Sequence, residues 1–245
     1  MTRVVVVEHE SGCPPAHVGT WLTDAGAEVE VCRPWAGDEL PTVSTGVSAY
    51  DALVVLGGSM GANDDDLHHW IGPVKQLVRD SVAARTPVLG ICLGHQLVAA
   101  ALGGTVGRNA LGQQVGLYDV GWLPEAGQDE LVAGLVLEGG PVRGIQWNHD
   151  LVIALPEGAT ALARTPQGEL QVVRFAPRAW GVQLHPEADE HIVVAWAEGD
   201  REEHLDSGVD QDALLGEIAR ARAELDAAWR PLATRFVELA RRGDL

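Results

Sequence analysis

Short, unbroken apolar runs alternate with amphipathic stretches through the first hundred residues of the chain. Residues 3–7, with four consecutive valines, read as a strand buried on both faces. Residues 16–25 read as a helix closed by Gly26. Residues 28–32 and 52–56 read as two more strands. Between positions 67 and 84, Leu67, Trp70, Ile71, Val74, Leu77 and Val78 recur at helical spacing. Residues 87–91 form another apolar run and 95–102 a helix. Strands that are apolar throughout, alternating with amphipathic helices, predict an α/β fold: an open, mostly parallel central sheet with helices on both faces. From 105 to 183 the pattern changes to short strands, among them 142–146, 170–175 and 179–183. Turn residues separate them: Gly139-Gly140-Pro141, Pro156-Glu157-Gly158 and Thr165-Pro166-Gln167-Gly168. These strands are expected to extend the parallel sheet as a mixed one.

The composition shifts after Trp196. Residues 198–212 are acidic and read as a connector. Residues 212–242 are rich in Ala, Leu, Glu and Arg and read as helix, broken near Pro231. Leu215, Ile218, Leu225, Trp229, Leu232, Phe236 and Leu239 make an apolar seam on it, interrupted by Arg222. The expected organisation is a core domain over 1–197, followed by the connector and a C-terminal helical extension over 198–245. The extension should fold back on the core and supply no catalytic group.

The chain has 245 residues, 46% of them hydrophobic, enough for one sizeable core. Its formal charge of −18 argues against nucleic acid and against an anionic membrane surface as partners. The N-terminal valines are too few for a signal sequence or a membrane span. Cys13, Cys32 and Cys92 are odd in number and lack metal-ligand spacing, so neither metal nor cofactor is expected. They fit a reducing, cytoplasmic setting. Cys13 and Cys32 read as inert.

Cys92 is different because of its flanks. Gly90-Ile91-Cys92-Leu93-Gly94-His95-Gln96 follows a buried strand and opens a helix. A Gly-x-Cys-x-Gly turn there is a nucleophile elbow with sulfur as the attacking atom. The helix N-terminus directs its free N–H groups at the sulfur and favours thiolate. Further on, the strand 179–183 runs into Leu184-His185-Pro186-Glu187. An imidazole can take the thiol proton and return one to a leaving amine, and a carboxylate two residues away can orient it. Singly, each has an ordinary reading: a buried cysteine, a solvent-facing histidine, a first-turn carboxylate. Jointly they specify a Cys92–His185–Glu187 triad.

These two segments, with the glycine-rich stretch Val54-Val55-Leu56-Gly57-Gly58-Ser59-Met60-Gly61, resemble the class I glutamine amidotransferases over residues 4–196. The nearest likeness is to stand-alone members similar to the amidotransferase domain of GMP synthase. The resemblance implies a flavodoxin-like sheet and release of ammonia from the glutamine side chain through a Cys92 thioester. It implies an oxyanion hole at the N–H groups of Gly58 and Leu93, and substrate contacts from Gly57, Ser59 and Gln96. Gln146-Trp147-Asn148-His149-Asp150 resembles the family's segment that reads the amino-acid head group, but its Asn-His-Asp order departs from the usual pattern. Either Asn148 or His149 can then face the pocket. No phosphate-binding loop motif occurs in the sequence, so an ammonia acceptor would require a separate synthetase subunit. Two alternatives remain: hydrolysis of a γ-glutamyl amide of another amine, and a non-catalytic interaction module with the same fold.

Overall fold

A computed structural model describes residues 1–44, 47–137 and 142–242. The strands are Thr2–Val7 (β1), Ala27–Cys32 (β2), the short pair Val43–Ser44 and Val47–Ser48 (β3, β4), Ala52–Val55 (β5), Val88–Ile91 (β6) and Thr105–Arg108 (β7). They continue with Gln114–Asp119 (β8), Arg143–Asn148 (β9), Asp150–Ala154 (β10), Thr160–Arg164 (β11), Leu170–Ala176 (β12) and Ala179–Val182 (β13). The helices are Ala16–Asp24 (α1), Ile71–Ala83 (α2), Leu93–Ala101 (α3), Ala133–Leu137 (α4), Glu190–Gly199 (α5), Arg201–Ser207 (α6) and Gln211–Arg242 (α7). The expected turn at Gly139-Gly140-Pro141 lies outside the described residues.

Seven strands form the central sheet in the order β11-β12-β13-β6-β5-β1-β2. The run from β13 to β2 is parallel, and β12 and β11 add an antiparallel edge. The valine run shows why the strands carry no polar alternation. Val4 and Val6 pack into the apolar cluster shared with α1 and α7, whereas Val5 and Val7 pack into the one shared with α2 and α3. The pairs β8–β9 and β7–β10 form two small antiparallel sheets outside the main one, and β9 and β10 bring residues 148–150 over the strand ends.

Three local expectations give way. Residues 67–70 are not helical, and Leu67 is exposed. Pro73 has no N–H to donate and fits best in a first turn, where none is needed, so α2 starts at Ile71. The acidic stretch after 197 is not an irregular connector: it contains the end of α5 and all of α6. Pro231 does not divide the tail. α7 runs unbroken for 32 residues with Pro231 inside it. An interior proline costs about 3 kcal/mol. Ile218, Leu225, Trp229, Leu232, Phe236 and Val237 are all buried in one cluster with α1 and the sheet, each burial contributing about 1.5–3 kcal/mol. Tertiary packing outweighs the lost bond.

Candidate active site

The turn from β6 into α3 is strained at one residue. Cys92 has φ 50° and ψ −107°, a left-handed conformation rare for a residue with a side chain. Its N–H donates to the Val182 carbonyl at 2.9 Å, which ties the elbow to β13. The flanking glycines are sterically required. A Cβ on Gly94 would lie 1.9 Å from the Val55 carbonyl oxygen, and one on Gly90 2.4 Å from the Gly94 carbonyl oxygen. Leu93 is the first residue of α3, and first-turn N–H groups have no acceptor within their own helix.

β13 lies beside β6 and parallel to it, with Val182 opposite Ile91, so the residues just beyond the two strands meet. His185 and Glu187 are both buried, and His185 Nδ1 lies 2.7 Å from Glu187 Oε1. With Nδ1–H given to the carboxylate, Nε2 is left for chemistry, and it completes no hydrogen bond among the described residues. Burial alone would lower the His185 pKa. The Cys92 sulfur and the Glu187 carboxylate outweigh it, so the ring is held well above the ordinary histidine value. This favours the charged imidazolium. Gly57, expected to touch substrate, instead leaves room for this pair: a Cβ there would stand 3.1 Å from His185 Cε1 and 3.6 Å from Cys92 Cβ. It does not line the cleft.

A fully buried Gln183 also reaches the sulfur, its Nε2 donating to Cys92 Sγ at 3.6 Å. Its oxygen accepts from Gln96 Nε2 at 3.3 Å, and the same Gln96 nitrogen donates to the Asp150 carbonyl at 2.8 Å. Gln96 lines the cleft, but its amide nitrogen is engaged by protein. The sequence reading missed Gln183. The available signal was strand periodicity, since positions 183 and 185 share one side of an extended segment.

These groups open onto a cleft of about 720 Å³. Gly58 lines it, and a Cβ on Gly58 would come within 3.1 Å of Leu93 Cδ2, so the two expected oxyanion donors belong to adjoining residues. Ser59 lines it too, but both its polar groups are taken: its N–H donates to Glu10 Oε1 at 2.7 Å and its hydroxyl to Glu10 Oε2 at 2.8 Å. Asn148 and His149 both line the cleft. Asn148 is buried, donates from Nδ2 to Gln114 Oε1 and the Asp150 carbonyl at 3.3 Å each, and leaves Oδ1 unpartnered among the described residues. His149 is half-buried, with Nε2 2.8 Å from Glu203 Oε1.

The family model for class-I glutamine amidotransferases matches residues 20–191. The chain belongs to that family. It is 31% identical over 209 residues to the glutamine amidotransferase-like protein YfeJ of Salmonella typhimurium, covering 84% of each chain. It is 31% identical over 196 residues to γ-glutamyl peptidase 5 of Arabidopsis thaliana, covering 77% of this chain and 74% of that one. Shorter stretches match GMP synthases. A solved glutamine amidotransferase of Thermotoga maritima superposes with a TM-score of 0.83 at 26% identity, covering 97% of this chain and 98% of that one.

The other cysteines of this amidotransferase sit in different surroundings. Cys13 lines the cleft, but burial, and then Glu10, Glu187 and Cys92, push its thiol far up. Burial raises Cys32 to about 11. His95, next to the elbow, is buried against Phe175 and lowered to about 3 by burial, so it stays neutral. Among the described residues no cluster of His, Cys, Asp and Glu could hold a metal ion, and no helix is long and apolar enough to cross a membrane.

Proposed function

We propose that this chain hydrolyses the side-chain amide of a γ-glutamyl compound through a thioester on Cys92. The carrying observation is the buried His185–Glu187 pair beside a cysteine strained on an elbow. The Cys92 thiolate attacks the amide carbonyl carbon, forming a C–S bond and an oxyanion. The N–H groups of Gly58 and Leu93 receive the oxyanion; each such donor is worth about 100- to 1,000-fold in rate. His185 Nε2 gives its proton to the leaving nitrogen and the C–N bond breaks. His185 then takes a proton from water, the hydroxide attacks the thioester, and breaking the C–S bond releases the acid and restores the thiolate. A thiol nucleophile of this kind suits a reducing compartment such as the cytoplasm.

Glutamine is the simplest substrate, its ammonia passing to a separate synthetase subunit. One observation favours a larger amide. A cleft of about 720 Å³ falls among pockets that hold drug-sized ligands, roughly 300–1,000 Å³, and is wide for one amino acid. The likeness to a γ-glutamyl peptidase supports the same reading. The test is glutamate release, measured across glutamine and a set of γ-glutamyl amides. Release from at least one, abolished by Cys92→Ala, is the expected result. No release from any of them, with Cys92 still alkylated normally, would overturn the proposal.

A further inference from the structure

The leaving nitrogen takes its proton from His185 Nε2, so the group it carries departs along the wall beside that ring. That wall is a chain of ring contacts ending in hydrogen bonds. The His185 ring packs on Trp196 with centroids 4.6 Å apart, and Trp196 packs on Trp147 at 5.8 Å. Trp147 Nε1 donates to Asp200 Oδ2 at 2.8 Å, and Gln113 Nε2 donates to the same oxygen at 2.8 Å. All of these residues line the cleft. The His185 ring, beside the Cys92 sulfur, closes the inner end of this wall. An aromatic shelf therefore leads from the reacting bond to a carboxylate.

That carboxylate is held by hydrogen bonds from uncharged side chains. Its Oδ2 accepts from two neutral donors, and no cation pairs with Asp200 among the described residues. Of the other acids in the cleft, Asp150 is paired with Arg108 at 3.9 Å, whereas Glu10 and Asp64, like Asp200, accept from neutral donors, Ser59 and the Gly61 N–H. A whole-chain charge of −18 reinforces the negative potential.

We propose that the amine released by this site bears a second, cationic nitrogen, so that the substrate is a γ-glutamyl amide of a diamine. Its methylene stem lies on Trp196 and Trp147, and its ammonium end meets their ring faces and Asp200. The reaction is hydrolysis: the amide C–N bond breaks, the acyl group passes through the Cys92 thioester to water, and glutamate and the free diamine leave. The inference rests on the amide-hydrolase reading above.

The experiment measures kcat/KM for three γ-glutamyl amides with the same four-carbon stem: butylamine (neutral), putrescine (cationic) and γ-aminobutyrate (anionic). The putrescine amide should exceed the butylamine amide by about tenfold, with the anionic amide lowest. Raising salt should compress the first ratio. Asp200→Asn, whose amide oxygen can still accept from Trp147 and Gln113, should bring the ratio towards one; the salt series reads the same interaction in wild-type protein. Turnover of all three amides without a cationic preference, or a preference indifferent to salt, would overturn the leaving-group assignment alone. No turnover of any amide or of glutamine would overturn the hydrolase reading together with it.

Discussion

Cys92, Gln183, His185 and Glu187 are buried and hang from the ends of two neighbouring parallel strands. Across the cleft, Ser59, His149 and Asp200 are partly or wholly exposed and are held by contacts between distant segments: Ser59 to Glu10, His149 to Glu203, Asp200 to Trp147. The first wall is fixed by strand register and steric exclusion. Its glycines at 90 and 94 admit no Cβ, and strain at Cys92 is sustained by bonds on both sides. The second wall is fixed by single side-chain bonds, several with an exposed partner, where each interaction contributes about 1 kcal/mol or less. On the proposed mechanism the chemistry falls on the rigid wall and selectivity on the adjustable one, so substitutions on the two should differ in size and kind.

The largest effect should come from Cys92→Ala, with amide hydrolysis abolished and a glutamine-like electrophile no longer labelling the protein. Labelling of Cys13 or Cys32 in its place would break the contrast, because burial holds both thiols protonated. Next come the proton movers. His185→Ala should lower kcat by about a million-fold and Glu187→Ala by about ten-thousand-fold, by analogy with other triads. Equal losses in two folded variants would show that the carboxylate does more than orient the ring. pH sharpens this. Glu187 raises the His185 pKa, so Glu187→Gln should bring the basic limb of the kcat/KM profile for amide hydrolysis to lower pH. An unmoved limb would mean the pair does not titrate as a unit.

Gln183→Leu should have a smaller effect. Removing the N–H donor from the sulfur takes away a hydrogen bond that the nucleophile accepts, so alkylation of Cys92 at neutral pH should slow. The loss in kcat/KM should be about tenfold, as for one hydrogen bond to a charged group. A purely structural role would lower the melting temperature and leave the rate of Cys92 alkylation where it was.

How much of this was legible in sequence follows the same division. The elbow and the His-Pro-Glu segment are local motifs at strand ends, and the parallel sheet that brings them together could be read from apolar runs. The α/β class with its mostly parallel sheet is what the structure shows. What could not be read depended on contacts distant in the chain. Glu10 grips Ser59 from 49 positions away. Gln96 turns to Gln183, 87 positions on, and Trp147 reaches Asp200 across 53. Local rules also misjudged the end of the chain. Pro231 signals a break only if nothing else holds the helix, and acidic residues signal a connector only if their apolar neighbours stay in water. Asp200, between α5 and α6, accepts from Trp147 and lines the cleft, and so made that stretch part of the site.

The finest test of the comparison lies within the second wall, in Ser59 and Glu10. Ser59→Ala removes a hydroxyl bond from an exposed residue but keeps the 2.7 Å bond from its backbone N–H to Glu10. The glycine loop then remains anchored, and kcat/KM should change by less than about threefold, at the low end of the 0.5–1.5 kcal/mol of one ordinary hydrogen bond. Glu10→Ala removes both bonds and frees the segment that carries the Gly58 N–H. The oxyanion donor is then less well placed, and the cost should fall on kcat more than on KM, because the oxyanion exists only past the ground state. A larger loss in Ser59→Ala than in Glu10→Ala would mean that the hydroxyl touches substrate directly, and that the loop is held by something other than Glu10.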